Sequence, residues 1–223
     1  MALASQDSAA VARPPGEILR DARVTAVLTR MLASRGRPTG GGPRSGGEPD
    51  PHAYAGYGFS IHPDQGDLLY LLCRALGARR VVDFATSVGF STLYLAAAMR
   101  DNGGGRVIGA EIVPEKIQAA QRNLEAAGLA AFVEIRAGDA RETLRDVGGD
   151  IDLALIDGWP GGSGPSLSLE VMRVLAPQMR AGAIAVNDNA EEDYLEFIRN
   201  PQGWFRSTTL PLKGGTEVSV KAA

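Results

Sequence analysis

Val81-Val82-Asp83-Phe84-Ala85-Thr86-Ser87-Val88-Gly89-Phe90-Ser91-Thr92 is the stretch that decides the fold. It reads as a strand over 80–85, a turn of small residues, and the opening of a helix over 91–100. Small side chains at the turn let a ligand press against the backbone, and the N–H groups of the following helix point at it. A plain tight strand-to-helix turn has the same local pattern. A dinucleotide pyrophosphate wants G-x-G-x-x-G, whereas this turn offers Ala85, Ser87 and Gly89 at alternate positions. It suits a smaller nucleoside ligand that carries a carboxylate.

Working outward, the alternation continues. Strands are predicted over 106–111, 131–136, 151–156 and 183–188, and helices over 114–127, 140–146, 166–180 and 191–199. Strand-helix units in series mean a parallel sheet with helices on both faces. At the end, 204–211 and 216–221 flank Lys213-Gly214-Gly215, which reads as a hairpin turn. The expected fold is α/β: a doubly wound, mostly parallel seven-stranded sheet closed by a C-terminal antiparallel hairpin. Upstream, Leu68, Leu69, Leu72, Ala75 and Leu76 mark one face of a helix over 64–77. Val24, Val27, Leu28, Met31 and Leu32 mark another over 16–35. Between them, residues 36–58 hold eight glycines and four prolines without periodicity, the mark of a disordered segment or a lid. This divides the chain into 1–58, a helix with a Gly/Pro-rich segment, and 59–223, the ligand-binding domain.

Composition bounds the function. The chain has 223 residues, 44% of them hydrophobic, and a net charge of −3. That balance argues against a broad nucleic-acid surface or a polybasic membrane anchor. No stretch approaches the roughly 20 apolar residues that cross a bilayer. Met1–Arg13 lacks the basic start of a signal peptide, so a cytoplasmic enzyme is expected. One cysteine, Cys73, excludes an intrachain disulfide framework, and two histidines, His52 and His62, exclude a three-His metal site. Any metal would have to rest on oxygen ligands.

In sheets of this kind ligands bind beyond the carboxyl ends of the strands. Glu111 ends the second strand, where an acid can accept both ribose hydroxyls; a surface acid favoured by the next helix dipole is the alternative. Asp139 follows the third strand and can accept from an adenine amino group. Asp157 follows the fourth strand, and Asp188-Asn189 end the fifth.

Taken in order, VVDFATSVGFSTLYLA, GAEIVPEKIQAAQRNLEAAGL, AGDARETL, DLALIDGWP and AIAVNDN resemble the class I S-adenosylmethionine-dependent O-methyltransferases. The similarity is greatest to the cation-dependent group that includes catechol and caffeoyl-CoA O-methyltransferases, and it spans roughly 57–221. The resemblance implies that Asp83, Ala85, Thr86, Ser87, Gly89 and Ser91 hold the methionine part of the cofactor. It implies Glu111 for the ribose, Asp139 for the adenine, and further cofactor contacts from Ser60, Ile61, Ile112, Ala140, Asp157 and Trp159. It puts Mg²⁺ or another divalent cation on Asp157, Asp188 and Asn189, which would be the catalytic set. Trp159, Pro160 and His62 would line the acceptor, a small catechol-like molecule. Such relatives are commonly homodimers, and the apolar face of the 16–35 helix needs a partner in its own chain or another.

The chain departs from the pattern at Pro160, where the catechol and caffeoyl-CoA enzymes have a lysine base. Glu191, Glu192 and Lys213 are possible substitutes, each read here as a solvated surface charge. A metal-independent methyltransferase is the nearest alternative. His62 precedes Pro63 and reads first as a helix cap. Trp204 reads as a core anchor of the hairpin, and Cys73 as an inert, partly buried thiol. A hydrolase is disfavoured because both histidines precede every candidate serine, a wrong order for the nucleophile elbow. A nicotinamide oxidoreductase is disfavoured by the missing glycine pattern.

Overall fold

The computed structural model describes residues 14–34, 50–158 and 164–222. Seven strands form one sheet: β1 (Arg80–Phe84), β2 (Arg106–Glu111), β3 (Val133–Ala137), β4 (Ile151–Ile156), β5 (Met179–Asp188), β6 (Phe205–Leu210) and β7 (Thr216–Lys221). Their order is β3-β2-β1-β4-β5-β7-β6. All neighbours from β3 to β5 are parallel, and β7 alone runs against the rest. The fold is the doubly wound sheet expected from the alternation, with the C-terminal hairpin at one edge. The chain builds outward from β1 to β3, then returns to lay β4 on the other side of β1. The crevice lies at that reversal, above the ends of β1 and β4.

Side-chain alternation divides the core. Val81, Val107, Leu153, Leu155 and Val186 face one layer, and Val82, Ile108, Ala154, Ile156 and Ala185 face the other. The first layer is covered by α1 (Ala22–Ala33), α2 (Pro63–Leu76), α3 (Phe90–Asp101) and α4 (Pro114–Ala127). The second is covered by α5 (Ala140–Thr143), α6 (Leu167–Leu175) and α7 (Glu192–Ile198). Each large apolar side chain so buried contributes about 1.5–3 kcal/mol. Among the described residues no helix is long and apolar enough to cross a membrane.

Several elements differ from their sequence expectation. The helix expected over 16–35 is broken: Glu17–Leu19 is a short 3-10 turn, Arg20 takes a left-handed φ of 50°, and α1 restarts where Asp21 caps Arg23 and Val24. Val24, Val27 and Leu28 then bury against the same core as α3, so the helix finds its apolar partner within the chain. The helix expected over 166–180 ends at Leu175; Pro177 cannot continue it, and β5 begins at Met179. Trp204 is 53% exposed and sits under the Lys221 ammonium, while Phe205 is the residue that enters the core. Cys73 is fully rather than partly buried, and burial pushes its thiol up to about 12. The 36–58 segment lies mostly outside the described residues; its end carries a 3-10 turn at Pro51–Tyr54.

The approach of α2 to α3 needs a glycine. A Cβ at Gly66 would come within 2.5 Å of the buried Tyr94 ring. That contact brings the first turn of α2, and with it Gln65, against the sheet ends.

Candidate active site

The loop after β1 is shaped from within. Asp83 is fully buried and accepts hydrogen bonds from Ser91 Oγ (3.0 and 3.1 Å) and Thr92 Oγ1 (2.5 Å) on the first turn of α3. Burial pushes its carboxyl up to about 6, against those hydroxyls, which favour the charged form. Ser87 and Gly89 take left-handed φ values of 49° and 89°. A side chain at Gly89 would also meet Ala120 at 3.2 Å, so α4 closes over the loop. Gly109 on β2 is required in the same way, because a Cβ there would meet Thr86 Oγ1 at 2.4 Å.

Asp83 also gives a pH test. Its unperturbed value is 3.8 and its folded value about 6, so the folded state holds the proton more tightly. Its contribution to stability is complete below 3.8 and is lost as the pH rises through about 6. The wild type is therefore expected to lose on the order of 2–3 kcal/mol relative to Asp83→Asn between pH 4 and 8. Urea melts of both proteins across that range measure it, and a pH-independent difference would refute the raised carboxyl.

Glu111 is 6% exposed. Its Oε1 accepts from the backbone N–H groups of Ile112 (2.8 Å) and Val113 (2.9 Å), and its Oε2 from Ser87 N–H (2.7 Å). The acid thus ties the loop after β1 to the end of β2 with a fixed carboxylate orientation. Next along the edge, Asp139 caps α5 and is gripped by Arg141, which holds its carboxyl below the usual range. Ala140 is buried behind it, while Ile112 is 43% exposed at the mouth of the crevice. Ser60 is half-buried, and the Ile61 side chain points into the core.

The acid end follows from strand register. Ile156 pairs with Asn187, so the next residues, Asp157 and Asp188, stand side by side; Asp188 in turn pairs with Thr216 of β7. Asp157 is partly open to solvent but closely surrounded. That desolvation, with the Asp188 charge beside it, holds its carboxyl well above the usual range.

Asp188 is 1% exposed, and both its oxygens are engaged. Oδ1 accepts from Gln65 Nε2 at 2.9 Å. Oδ2 accepts from Asn189 Nδ2 at 3.1 Å and from Lys213 Nζ. Gln65 Nε2 also donates to Thr216 Oγ1 (2.8 Å), its Oε1 accepts from His62 N–H (2.7 Å), and Thr216 Oγ1 donates to the Leu212 carbonyl (3.1 Å). Asn189 itself holds a left-handed φ of 63°.

Asp157, Asp188 and Asn189 are brought together as expected. Three participants had not been singled out: Gln65, Thr216 and, in this role, Lys213. Lys213 is the correction among them. It is no solvated charge but the partner of a buried carboxylate. His62 acts as the cap of α2 in a reciprocal capping box with Gln65, its own ring well exposed. Glu191 is half-buried on the approach to α7. Trp159 and Pro160 lie outside the described residues.

The donor chemistry of Asp157, Asp188 and Asn189 is that of a hard-oxygen cation site. The arrangement does not fit a divalent ion. The Lys213 ammonium sits on the Asp188 oxygen that such an ion would take, and the Asn189 amide turns its nitrogen toward that carboxylate. Among the described residues no group of three or more His, Cys, Asp or Glu side chains is placed to hold a metal.

Residues 84–190 match a family model described as a methyltransferase domain. Over 103 residues the chain is 35% identical to a catechol O-methyltransferase of Niastella koreensis, a match covering 44% of this chain and 46% of that protein. Over 100 residues it is 40% identical to a catechol O-methyltransferase of Mycobacterium tuberculosis, covering 44% of each. The match thus spans less than half the length of either relative. Among solved structures, an O-methyltransferase from Bacillus cereus in complex with SAH gives a TM-score of 0.66 over 90% of this chain and 91% of that one, at 22% identity. At that identity the likeness is one of fold. Residues 84–190 of this chain thus match a methyltransferase-domain model, and the two relatives named here, matched over less than half of the chain, are O-methyltransferases.

Proposed function

We propose that this protein transfers the methyl group of S-adenosylmethionine to a hydroxyl of a small aromatic acceptor. The observation that carries this is the fixed carboxylate of Glu111 at the end of β2, set against the small-residue loop after β1. A carboxylate has about four acceptor positions. Three backbone donors orient this one, and ribose hydroxyls would take the free position and exchange with Ser87 N–H. The loop over Asp83 to Ser91 would receive the methionine end, and Asp139 with Ala140 the adenine. The acid end over β4 and β5 then lies beside the sulfonium, where the acceptor would sit.

The chemistry asks little covalent work of the protein. The acceptor oxygen bonds to the methyl carbon as the carbon–sulfur bond breaks. The bonding pair stays on sulfur, which becomes neutral, and the hydroxyl proton passes to water. What the residues supply is alignment and a complementary field. Of the two readings the resemblance leaves open, with a divalent ion or without, the Lys213–Asp188 pair favours the second.

Incubation with S-adenosylmethionine and a panel of phenols and catechols is expected to yield S-adenosylhomocysteine together with a methyl ether. Mass spectrometry reads both products. Failure to bind S-adenosylhomocysteine in calorimetry would sink the reading outright.

A further inference from the structure

We propose that Lys213 is the built-in cation of this site. On Asp188 its ammonium takes the place of a divalent metal ion, and the acceptor it serves needs one hydroxyl, not a vicinal pair. The acceptor half rests on the methyl-transfer reading above; the cation half does not.

Composition makes the residue unusual. The chain has 20 arginines and three lysines, Lys116, Lys213 and Lys221. Where this chain needs a cation it nearly always uses the planar guanidinium. At the acid end it uses the compact ammonium instead, a point charge that resembles a small ion more than a fork of donors.

The backbone points the same way. Lys213 holds a left-handed φ of 49°, followed by Gly214 at 85° and Gly215 at 141°. A third glycine would relieve the turn, yet a long side chain stands there under strain. Backbone strain of this kind marks positions where the surroundings over-determine a side chain. The hairpin that carries it is firmly anchored. Glu217, one step into β7, is 2% exposed and accepts from Arg199 (2.7 and 2.8 Å), Ser207 (2.6 Å) and Thr209 (2.6 Å).

The ammonium stands at a boundary. The Asp188 side chain is 1% exposed and that of Lys213 31%. Among the described residues its ammonium meets the carboxylate of Asp188, and its exposed part faces the open side, where an acceptor oxygen would lie. A divalent ion can chelate two neighbouring hydroxyls. An ammonium stabilises the charge developing on one oxygen by hydrogen bonding and keeps its own protons throughout. The loop after Asp157 contains no lysine, so among the described residues Lys213 is the ammonium that meets this acid end.

The test is a Mn²⁺ titration followed by EPR on the full chain, with and without S-adenosylhomocysteine. The wild type is expected to leave the free-ion signal unchanged. Lys213→Gly, which suits the left-handed backbone, is expected to gain a single Mn²⁺ site per chain, lost again when Asp188→Ala is added. Lys213→Arg, which keeps the charge, is expected to stay silent. Thermal melts confirm that each variant is folded. A wild-type site that Asp188→Ala removes would overturn the proposal, since the ion would then coexist with Lys213. Silence from a folded Lys213→Gly would overturn it too, because the ammonium would not be what excludes the ion. For the acceptor half, turnover of a simple phenol within about tenfold of the matching catechol, unchanged by chelator, is expected. A strict need for vicinal hydroxyls would overturn that half. Separate calorimetry with S-adenosylhomocysteine identifies a failure of the methyl-transfer reading, while the Mn²⁺ result still judges Lys213.

Discussion

Glu111→Ala is expected to weaken S-adenosylhomocysteine binding by about a hundredfold or more, read by isothermal titration calorimetry. Hydrogen bonds to a carboxylate contribute about 1.5–3 kcal/mol each, and two ribose hydroxyls would lose theirs together. The loss would also release Ser87 N–H, so the loop after β1 would no longer be held for the ligand. Glu111→Gln keeps the shape and half of the accepting capacity, and should fall between the two. Unchanged binding in Glu111→Ala would remove the ribose assignment. A thermal melt separates lost affinity from lost fold.

Gln65→Ala is expected to lower the melting temperature by about 6–15 °C, the equivalent of about 3–4 kcal/mol in a chain of this size. The amide does three things at once. It closes the capping box of α2 through His62 N–H, donates to the buried charge of Asp188, and donates to Thr216 at the start of β7. Its removal strips Asp188 of one partner without giving water free access. Thr216→Val, which removes the link to Gln65 and the bond to the Leu212 carbonyl but leaves the capping box and the Asp188 contact, should cost about 2 kcal/mol. Equal and small effects from both would mean that the cluster is looser than its geometry.

The sheet was legible because it is written locally. Val81 and Val82, or Leu155 and Ile156, are adjacent residues that serve opposite layers, and the alternation of such runs with helical periods defines the order of elements. Breaks set by single backbone choices were not legible. The left-handed Arg20 that splits the first helix is not a residue type that announces a turn, and the helix over 166–180 masked the early start of β5 after Pro177. Within the site, residues at strand ends could be named from topology, since parallel register puts Asp157 beside Asp188. Gln65 could not. It lies 123 residues from Asp188, and its sequence neighbourhood describes only a helix cap. Lys213 was misread for the same reason: Lys-Gly-Gly is a turn in any sequence, and only β7 lying beside β5 brings it to a buried acid. Trp204 and Phe205 show the limit of hydrophobicity as a guide, because Trp204 stops just short of β6 and stays exposed while Phe205, the first residue of the strand, faces inward.

The fully buried Cys73 has a use of its own. It is the chain's single thiol, it lies on the buried face of α2, and burial holds it protonated. A thiol reagent can reach it only when α2 leaves the sheet. The rate of its modification under native conditions is therefore a clock for the opening of the helix that carries Gln65. Any ligand that tightens the crevice should slow that clock without touching the cysteine.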